Sequence, residues 1–254
     1  MTIAIKVNSG EGLSAYLADY QANFSASGWG GFNSWNPMAT SGSQYAQGEG
    51  SVFNAGDTSK RGFVAEGALE YTLFSAPAHT LYGQLDSLSL GHGLSGVSDR
   101  TLNSEEFTIS GLNLSADQAA GRDGVVHKVL YGLMKPNNAV DGNQGVQHLI
   151  DVLDAQQLDV SGGAGDDLLH GYSQNDTLSG GAGNDTFEFG LLNGAGSFGN
   201  DTITDYHSGD VIRLAGVDQT GSSVSNGNLT ISTTGGTITV NGVTDVNDVS
   251  IISA

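Results

Sequence analysis

The chain of 254 residues contains no cysteine. Disulfides, thiolate nucleophiles, cysteine-ligated zinc and iron–sulfur clusters are therefore excluded. Proline is scarce, at 3 residues, so no polyproline linker or collagen repeat is present. Basic residues are scarce as well: 8 Lys+Arg stand against 27 Asp+Glu, a formal net charge of −19. Such a surface repels nucleic-acid phosphates and anionic membranes and favours cations, calcium first among them. No stretch approaches the roughly 18 apolar residues of a spanning helix. The opening MTIAIKVNSGEG lacks the basic and apolar regions of a cleavable export signal. The expectation is a soluble protein with no nucleic-acid partner and no membrane insertion, exported, if at all, by a signal elsewhere. Catalytic signatures are missing too: there is no H-E-x-x-H, no G-x-S-x-G and no phosphate-binding loop. Paired carboxylates of the glycosidase kind have no local motif and stay open, but nothing promotes an enzyme.

What is present changes character near residue 160. Before it, Leu13 to Phe24 reads as a helix with Leu13, Tyr16, Leu17 and Tyr20 on one stripe. Residues 28–42 form a Gly/Asn/Ser-rich loop carrying Trp29 and Trp35. Phe63 to Phe74 alternates, with Phe63, Ala65, Leu69, Tyr71 and Leu73 on one face and Glu66 and Glu70 on the other, as in a half-buried antiparallel strand. Strands over Leu81–Leu90 and Phe107–Leu114, then helices over Gly124–Met134 and Val146–Gln157, complete an α+β domain.

After Val160 the sequence is periodic. GGAGDDLLH from Gly162, GYSQNDTLS from Gly171 and GGAGNDTFE from Gly180 are three nonapeptides in phase, with Asp167, Asp176 and Asp185 sixth and Leu169, Leu178 and Phe187 eighth. Six residues suit a turn that exposes carbonyls and a carboxylate, and three suit a short strand with its large residue inward. Ordinary Gly/Asp turns of a β-rich domain are the plainer alternative. The pattern resembles the RTX calcium-binding repeat. That resemblance implies an all-β parallel β-roll in which Gly162, Ala164, Asp167, Asp176, Gly180, Ala182 and Asp185 hold calcium. Two repeats would make one coil, so that Asp167 and Asp185 lie on one side and Asp176 on the other. GNDTITDYHSGDVIRL, from Gly199, is similar to the segment that follows such repeats and offers Asp201, Asp205 and Asp210 as further ligands. The last forty residues, with NLTIS, Gly235-Gly236 and TITV, read as a C-terminal β-hairpin cap.

In the first half, Tyr71 ends an alternating strand, a Ser-Ala-Pro turn follows, and His79 opens the next strand. Such a hairpin can set a phenol beside an imidazole that accepts its proton. The resulting phenolate is a hard anionic ligand suited to ferric iron, and tyrosinate is a known haem ligand. The same pair also suits a purely structural role. On the helix over 124–134, His127, Tyr131 and Met134 share one stripe, and His127 fits core and pocket alike.

The segments YTLFSAPAHTLYGQLDSLSLGHGLSG and GLNLSADQAAGRDGVVHKVLYGLM, and more faintly AYLADYQANF and SGSQYA, resemble the HasA-type hemophores, extracellular bacterial haem-capture proteins. The resemblance covers most of residues 1–157. It implies a curved antiparallel sheet backed by helices on one face, with ferric haem b held at one edge between two loops. It makes Tyr71 the iron ligand and His79 its hydrogen-bonding support. The expected pocket comprises Phe74, Leu81, His127, Tyr131 and Met134, with Trp35 and Met38 from the first loop. One departure is that no histidine precedes His79, whereas many family members supply a second axial histidine from that loop. A second is the RTX-like tail over 160–254, which shares with hemophores a type I (ABC) secretion route through an uncleaved C-terminal signal. The resemblance implies a secreted protein that takes haem from haem-carrying proteins and passes it to an outer-membrane receptor. The rival reading is a calcium-stabilised adhesin or matrix protein whose hemophore-like half has lost haem.

Overall fold

A computed structural model of the chain describes residues 2–26, 30–50, 57–76, 79–138, 143–190 and 197–254. Two compact units emerge, Leu17–Asp151 and Met1–Tyr16 with Val152–Ala254. The first strand, β1 (Thr2–Val7), buries Ile3, Ile5 and Val7 and faces Thr2, Ala4 and Lys6 outward. The expected division at residues 157–160 left this strand with the N-terminal half. It pairs in parallel with β7 (Gln157–Ser161), with Ile3 opposite Leu158 and Ile5 opposite Val160.

Helix α1 (Leu13–Asn23) follows, its predicted stripe of Leu13, Tyr16, Leu17 and Tyr20 fully buried. Then come β2 (Gly31–Phe32), β3 (Ser41–Gly48), β4 (Arg61–Thr72), β5 (Thr80–Ser95) and β6 (Thr101–Ala116), each antiparallel to the next. Helix α2 (Val125–Met134) packs on β5 and β6, burying Val126, Val129, Leu130 and Leu133 against a core that includes Leu85, Leu88 and Phe107. Helix α3 (Gln147–Asp154) ends earlier than Gln157, which already belongs to β7. This is the expected α+β arrangement. Strand β4 stops at Thr72, so Leu73 and Phe74 lie in the turn and not on the strand face. Within β4 and β5 the register shifts between Glu66 and Leu69, where Gly67 (φ +147°) and Gly83 (φ +102°) face each other's strands. A Cβ on either would lie 2.1 Å from a carbonyl oxygen across the pair, so only glycine fits this bulge.

In the second unit the strands are short and alternate between two ladders. β8 (Leu168–His170), β10 (Thr186–Gly190), β12 (Val211–Ala215) and β16 (Ser250–Ser253) are parallel neighbours in one. In the other, β7 is followed by β9 (Thr177–Ser179), β11 (Gly199–Ile203) and β15 (Gly236–Val240), again parallel. Leu168 stands opposite Thr186 and Asp159 opposite Thr177, so partners are two nonapeptides apart in sequence. The eighth-position residues Leu169, Leu178 and Phe187 have no exposed surface. Strand β14 (Asn228–Thr233) forms the expected hairpin with β15, and β13 (Gln219–Ser225) lines its outer edge. Among the described residues no helix is long and apolar enough to cross a membrane.

The repeat glycines have a steric cause. The sixth-position aspartate folds back over the first-position glycine of its own repeat: a Cβ on Gly171 would sit 2.2 Å from Asp176 Oδ2, and one on Gly180 2.2 Å from Asp185 Oδ2. Gly171→Ala should therefore push the Asp176 carboxylate off the amides of Leu158 and Tyr172, which it accepts at 2.7 Å each. The expected loss is about 1–3 kcal/mol of stability, read from chemical denaturation followed by far-UV circular dichroism; an unchanged midpoint would refute this account.

Candidate functional site

Tyr71 lies one residue from the end of β4, and His79 immediately precedes β5. The strand register sets Tyr71 opposite Leu81, which makes His79 its diagonal neighbour on the same face. The turn between them is closed by Thr72: its carbonyl accepts from His79 N at 2.8 Å, and its Oγ1 accepts from Thr80 N at 3.0 Å. Tyr71 N in turn donates to Thr40 O at 2.8 Å, which fixes the strand to the end of the first loop. His79 adopts φ +57°, a left-handed conformation that costs a non-glycine residue about 1 kcal/mol or more and is concentrated at functional sites. In this geometry Tyr71 Oη stands 2.6 Å from His79 Nδ1. Burial pushes the Tyr71 phenol above its ordinary range, against the pull of the Arg122 charge. The phenol is thus neutral near pH 7 and can serve as the donor of this hydrogen bond.

The pair borders a cavity of about 270 Å³. Phe32, Asn36, Pro37 and Met38 of the first loop form one wall, and Tyr71, Leu73 and His79 the other. Tyr45 and Arg100, both buried, complete the lining. Tyr45 meets Phe32 edge-on, at 5.1 Å between ring centres, and donates to Met134 Sδ at 3.4 Å. Arg100 donates through its guanidinium to Phe32 O (3.2 Å) and Gly96 O (2.7 Å), and its own amide donates to Gln44 Oε1 at 2.7 Å. It thereby ties the first loop to the turn between β5 and β6.

Of the residues expected in the pocket, Tyr71, His79 and Met38 line this cavity. Leu81 and Met134 do not; both are buried in the core, where the inward faces of β5 and α2 place them. His127 takes a core role: it is 5% exposed, stacks on Tyr131 at 5.3 Å, and its Nδ1 accepts from Leu81 N at 3.2 Å. That bond grips β5 two residues after His79. Phe74 and Trp35 are 85% and 80% exposed, since each stands in a loop outside the strands. Trp29 lies outside the described residues. Phe32 and Arg100 carried no local sequence signal, and Tyr45 only its place in SGSQYA, because what assembles them is the pairing of β2, β3 and the β5–β6 turn.

A second constellation lies in the other unit. Asp167 N donates to Asp185 Oδ1 (2.9 Å) and Asp185 N to Asp210 Oδ1 (2.9 Å), while Asp176 N donates to Asp201 Oδ1 (2.8 Å). Asp167 and Asp185 therefore share one column, and Asp176 pairs with Asp201 in the other. All five carboxylates are buried. Burial pushes Asp176 up to about 6 and Asp201 up to about 8. Among the described residues, Asp185 Oδ2 and Asp201 Oδ2 have no hydrogen-bond partner. Asp205, the remaining expected ligand, caps the amides of Gly180 and Gly181 at 2.9 and 3.0 Å and accepts from Ser179 Oγ at 2.7 Å. Gly162, Ala164, Gly180 and Ala182 lie in the turns that these columns join.

Comparison with known proteins gives a consistent answer. A family model described as heme-binding protein A (HasA) matches residues 1–185. The hemophore HasA of Serratia marcescens is 45% identical over 141 residues, which is 52% of this chain and 74% of that protein. The holo hemophore HasA from Yersinia pestis aligns at 29% identity over 61% of this chain and 89% of its own, with a TM-score of 0.46. An apo structure from the same organism aligns over the same shares at 29% identity, with a TM-score of 0.45.

The role of Arg100 as the tie of the first loop is open to a direct check. Arg100→Ala removes two charge-assisted bonds and leaves the Phe32 carbonyl beside a void, so the protein should lose about 2–3 kcal/mol of stability. Amide exchange at the partners of β2 should quicken. Wild-type protection at Gly31 and Phe32 in the variant would exclude this role.

Proposed function

The chain belongs to the heme-binding protein A (HasA) family, and from that premise we propose that it is a secreted protein that captures extracellular ferric haem through the Tyr71 phenolate. The observation that carries the reading is the 2.6 Å contact between Tyr71 Oη and His79 Nδ1 at the edge of the cavity. A buried phenol is a poor ligand while it keeps its proton. The His79 imidazole, already in hydrogen-bond contact, would accept that proton when the phenolate forms and hold the phenolate in place. Ferric haem supplies a hard cationic centre for that oxygen, and the apolar walls suit a porphyrin face. Met38 and Asn36 stand where the first loop contributes no histidine. Protein ligation would therefore rest on Tyr71, which would leave a bound ferric iron accessible to small ligands. The protein's action is capture and hand-over to a cell-surface receptor, without turnover.

Residues 1–157 form the haem-binding domain in this reading, and residues 160–254 a calcium-dependent roll with a type I secretion signal. The repeat aspartates support the second part. Two columns of buried carboxylates, with Asp201 Oδ2 unpartnered among the described residues, fit a cation that takes oxygen ligands. Turn carbonyls of Gly162, Ala164, Gly180 and Ala182 would complete such a shell. A chain that folds its acidic repeats only in high calcium stays unfolded during export and orders outside the cell.

Two experiments test these proposals. Tyr71→Phe keeps the ring and removes the anionic donor, so hemin titration should show an affinity loss of at least about a hundredfold, a cost of about 2.7 kcal/mol. His79→Ala should weaken binding most near neutral pH and least at alkaline pH, where the phenol ionises unaided. Wild-type Soret and charge-transfer bands in Tyr71→Phe would reject the ligand assignment. For the second part, calcium should raise the unfolding midpoint of the full chain by mass action, and Asp176→Asn with Asp201→Asn should blunt the rise. An identical midpoint in excess chelator and in excess calcium would dismiss the calcium reading and leave the haem reading standing.

A further inference from the structure

At the end of the column formed by Asp167, Asp185 and Asp210, the chemistry of the site changes. Asp185 immediately precedes β10 and Asp210 immediately precedes β12, and these strands pair in parallel with Thr186 opposite Val211. The register therefore stacks the two carboxylates. Beside Asp210 stands an imidazole: His207 Nδ1 lies 3.3 Å from Asp210 Oδ1, and the His207 amide donates to Asp210 Oδ2 at 2.9 Å. A carboxylate oxygen of each aspartate and a ring nitrogen of His207 all fall within 4.8 Å of one another.

The independent sign of a ligand is Asp185 itself. It has no exposed surface, its Oδ1 accepts from Asp167 N, and its Oδ2 has no partner among the described residues. The neighbouring repeats show why. In them, Oδ2 of the sixth-position aspartate accepts from the second-position amide of its own repeat: Gly163 N to Asp167 at 2.6 Å, and Tyr172 N to Asp176 at 2.7 Å. In the third repeat that amide, Gly181 N, is taken by Asp205 at 3.0 Å. The displaced oxygen is left buried, and a carboxylate oxygen of Asp185 lies within 4.8 Å of a ring nitrogen of His207.

We propose that Asp185, His207 and Asp210 form a binding site for a borderline divalent cation of the zinc type. Oxygen-only shells suit calcium and magnesium, whereas imidazole selects zinc and the later transition metals. Tetrahedral ligation with bonds of about 2.0–2.1 Å places ligand atoms about 3.3 Å apart, the separation already present between His207 and Asp210. Two carboxylates and a neutral imidazole balance a dication and leave a fourth position for water.

The test uses the haem-free full chain in excess calcium, titrated calorimetrically with Zn2+. One zinc equivalent should bind that excess calcium does not displace, and His207→Ala should weaken it at least about tenfold. That variant should keep the far-UV spectrum of the parent, because His207 lies in a turn and is partly exposed. His92→Ala, at a separate histidine–carboxylate pair (2.8 Å from Glu106), should leave the equivalent unchanged. Co2+ should give the visible d–d bands of a tetrahedral site, lost in His207→Ala. Zinc binding by His207→Ala equal to the parent's, or zinc displaced by calcium, would overturn the proposal. A chain that does not respond to calcium but still binds zinc through His207 would fail the calcium reading alone.

Discussion

One short hydrogen bond, from Tyr71 Oη to His79 Nδ1, is the point at which strand pairing becomes chemistry. Neither partner could be held there by its own conformational preference. The register of β4 on β5 brings them onto one face, and the glycine bulge at Gly67 and Gly83 keeps that register past a shift. Thr72 closes the turn with both its carbonyl and its hydroxyl, and His79 accepts a left-handed backbone as the cost. From the opposite side, His127 holds the amide of Leu81 and so fixes where β5 begins. Loss of any of these would leave Tyr71 an ordinary half-buried phenol with no base beside it.

The cavity next to the pair depends on contacts of a different kind. The first loop contains little that folds by itself, and it is placed by backbone bonds to Arg100 and by the ring of Tyr45. A cationic side chain from a distant turn thus shapes the wall that faces Tyr71. In a family whose members bind haem, this explains how a loop without histidine still lines a defined site.

The second unit is governed by carboxylate burial. A net charge of −19 would ordinarily keep aspartates in water, yet five are sequestered along two columns. Backbone amides offset much of that cost: Asp176, Asp185, Asp201 and Asp210 each accept from the amide of an aspartate or strand residue, and Asp167 from those of Gly10 and Gly163. Where an amide is diverted, as at Gly181, an oxygen is left without one. Glycine in the first position of each repeat is the steric condition for the whole arrangement.

Periodic and local information was legible in the chain itself. The helix stripe of Leu13, Tyr16, Leu17 and Tyr20, the alternation of β4, the three-residue strands with Leu169, Leu178 and Phe187 inward, and the columns of Asp167 with Asp185 and of Asp176 apart from them all follow from repeat length and side-chain period. The Tyr71–His79 pairing was legible too, because a strand, a proline turn and a strand leave few ways to close. What the sequence could not determine is what lies far apart along it. The parallel partner of β1 lies some 150 residues away, the tie of Arg100 to Phe32 joins two loops with no shared pattern, and the core positions of Met134 and Leu81 depend on how α2 settles on β5. The orphaned oxygen of Asp185 likewise exists only because Asp205, from a later turn, takes the amide that its repeat would have supplied. Local pattern specifies which face a residue presents; only long-range packing decides what that face meets.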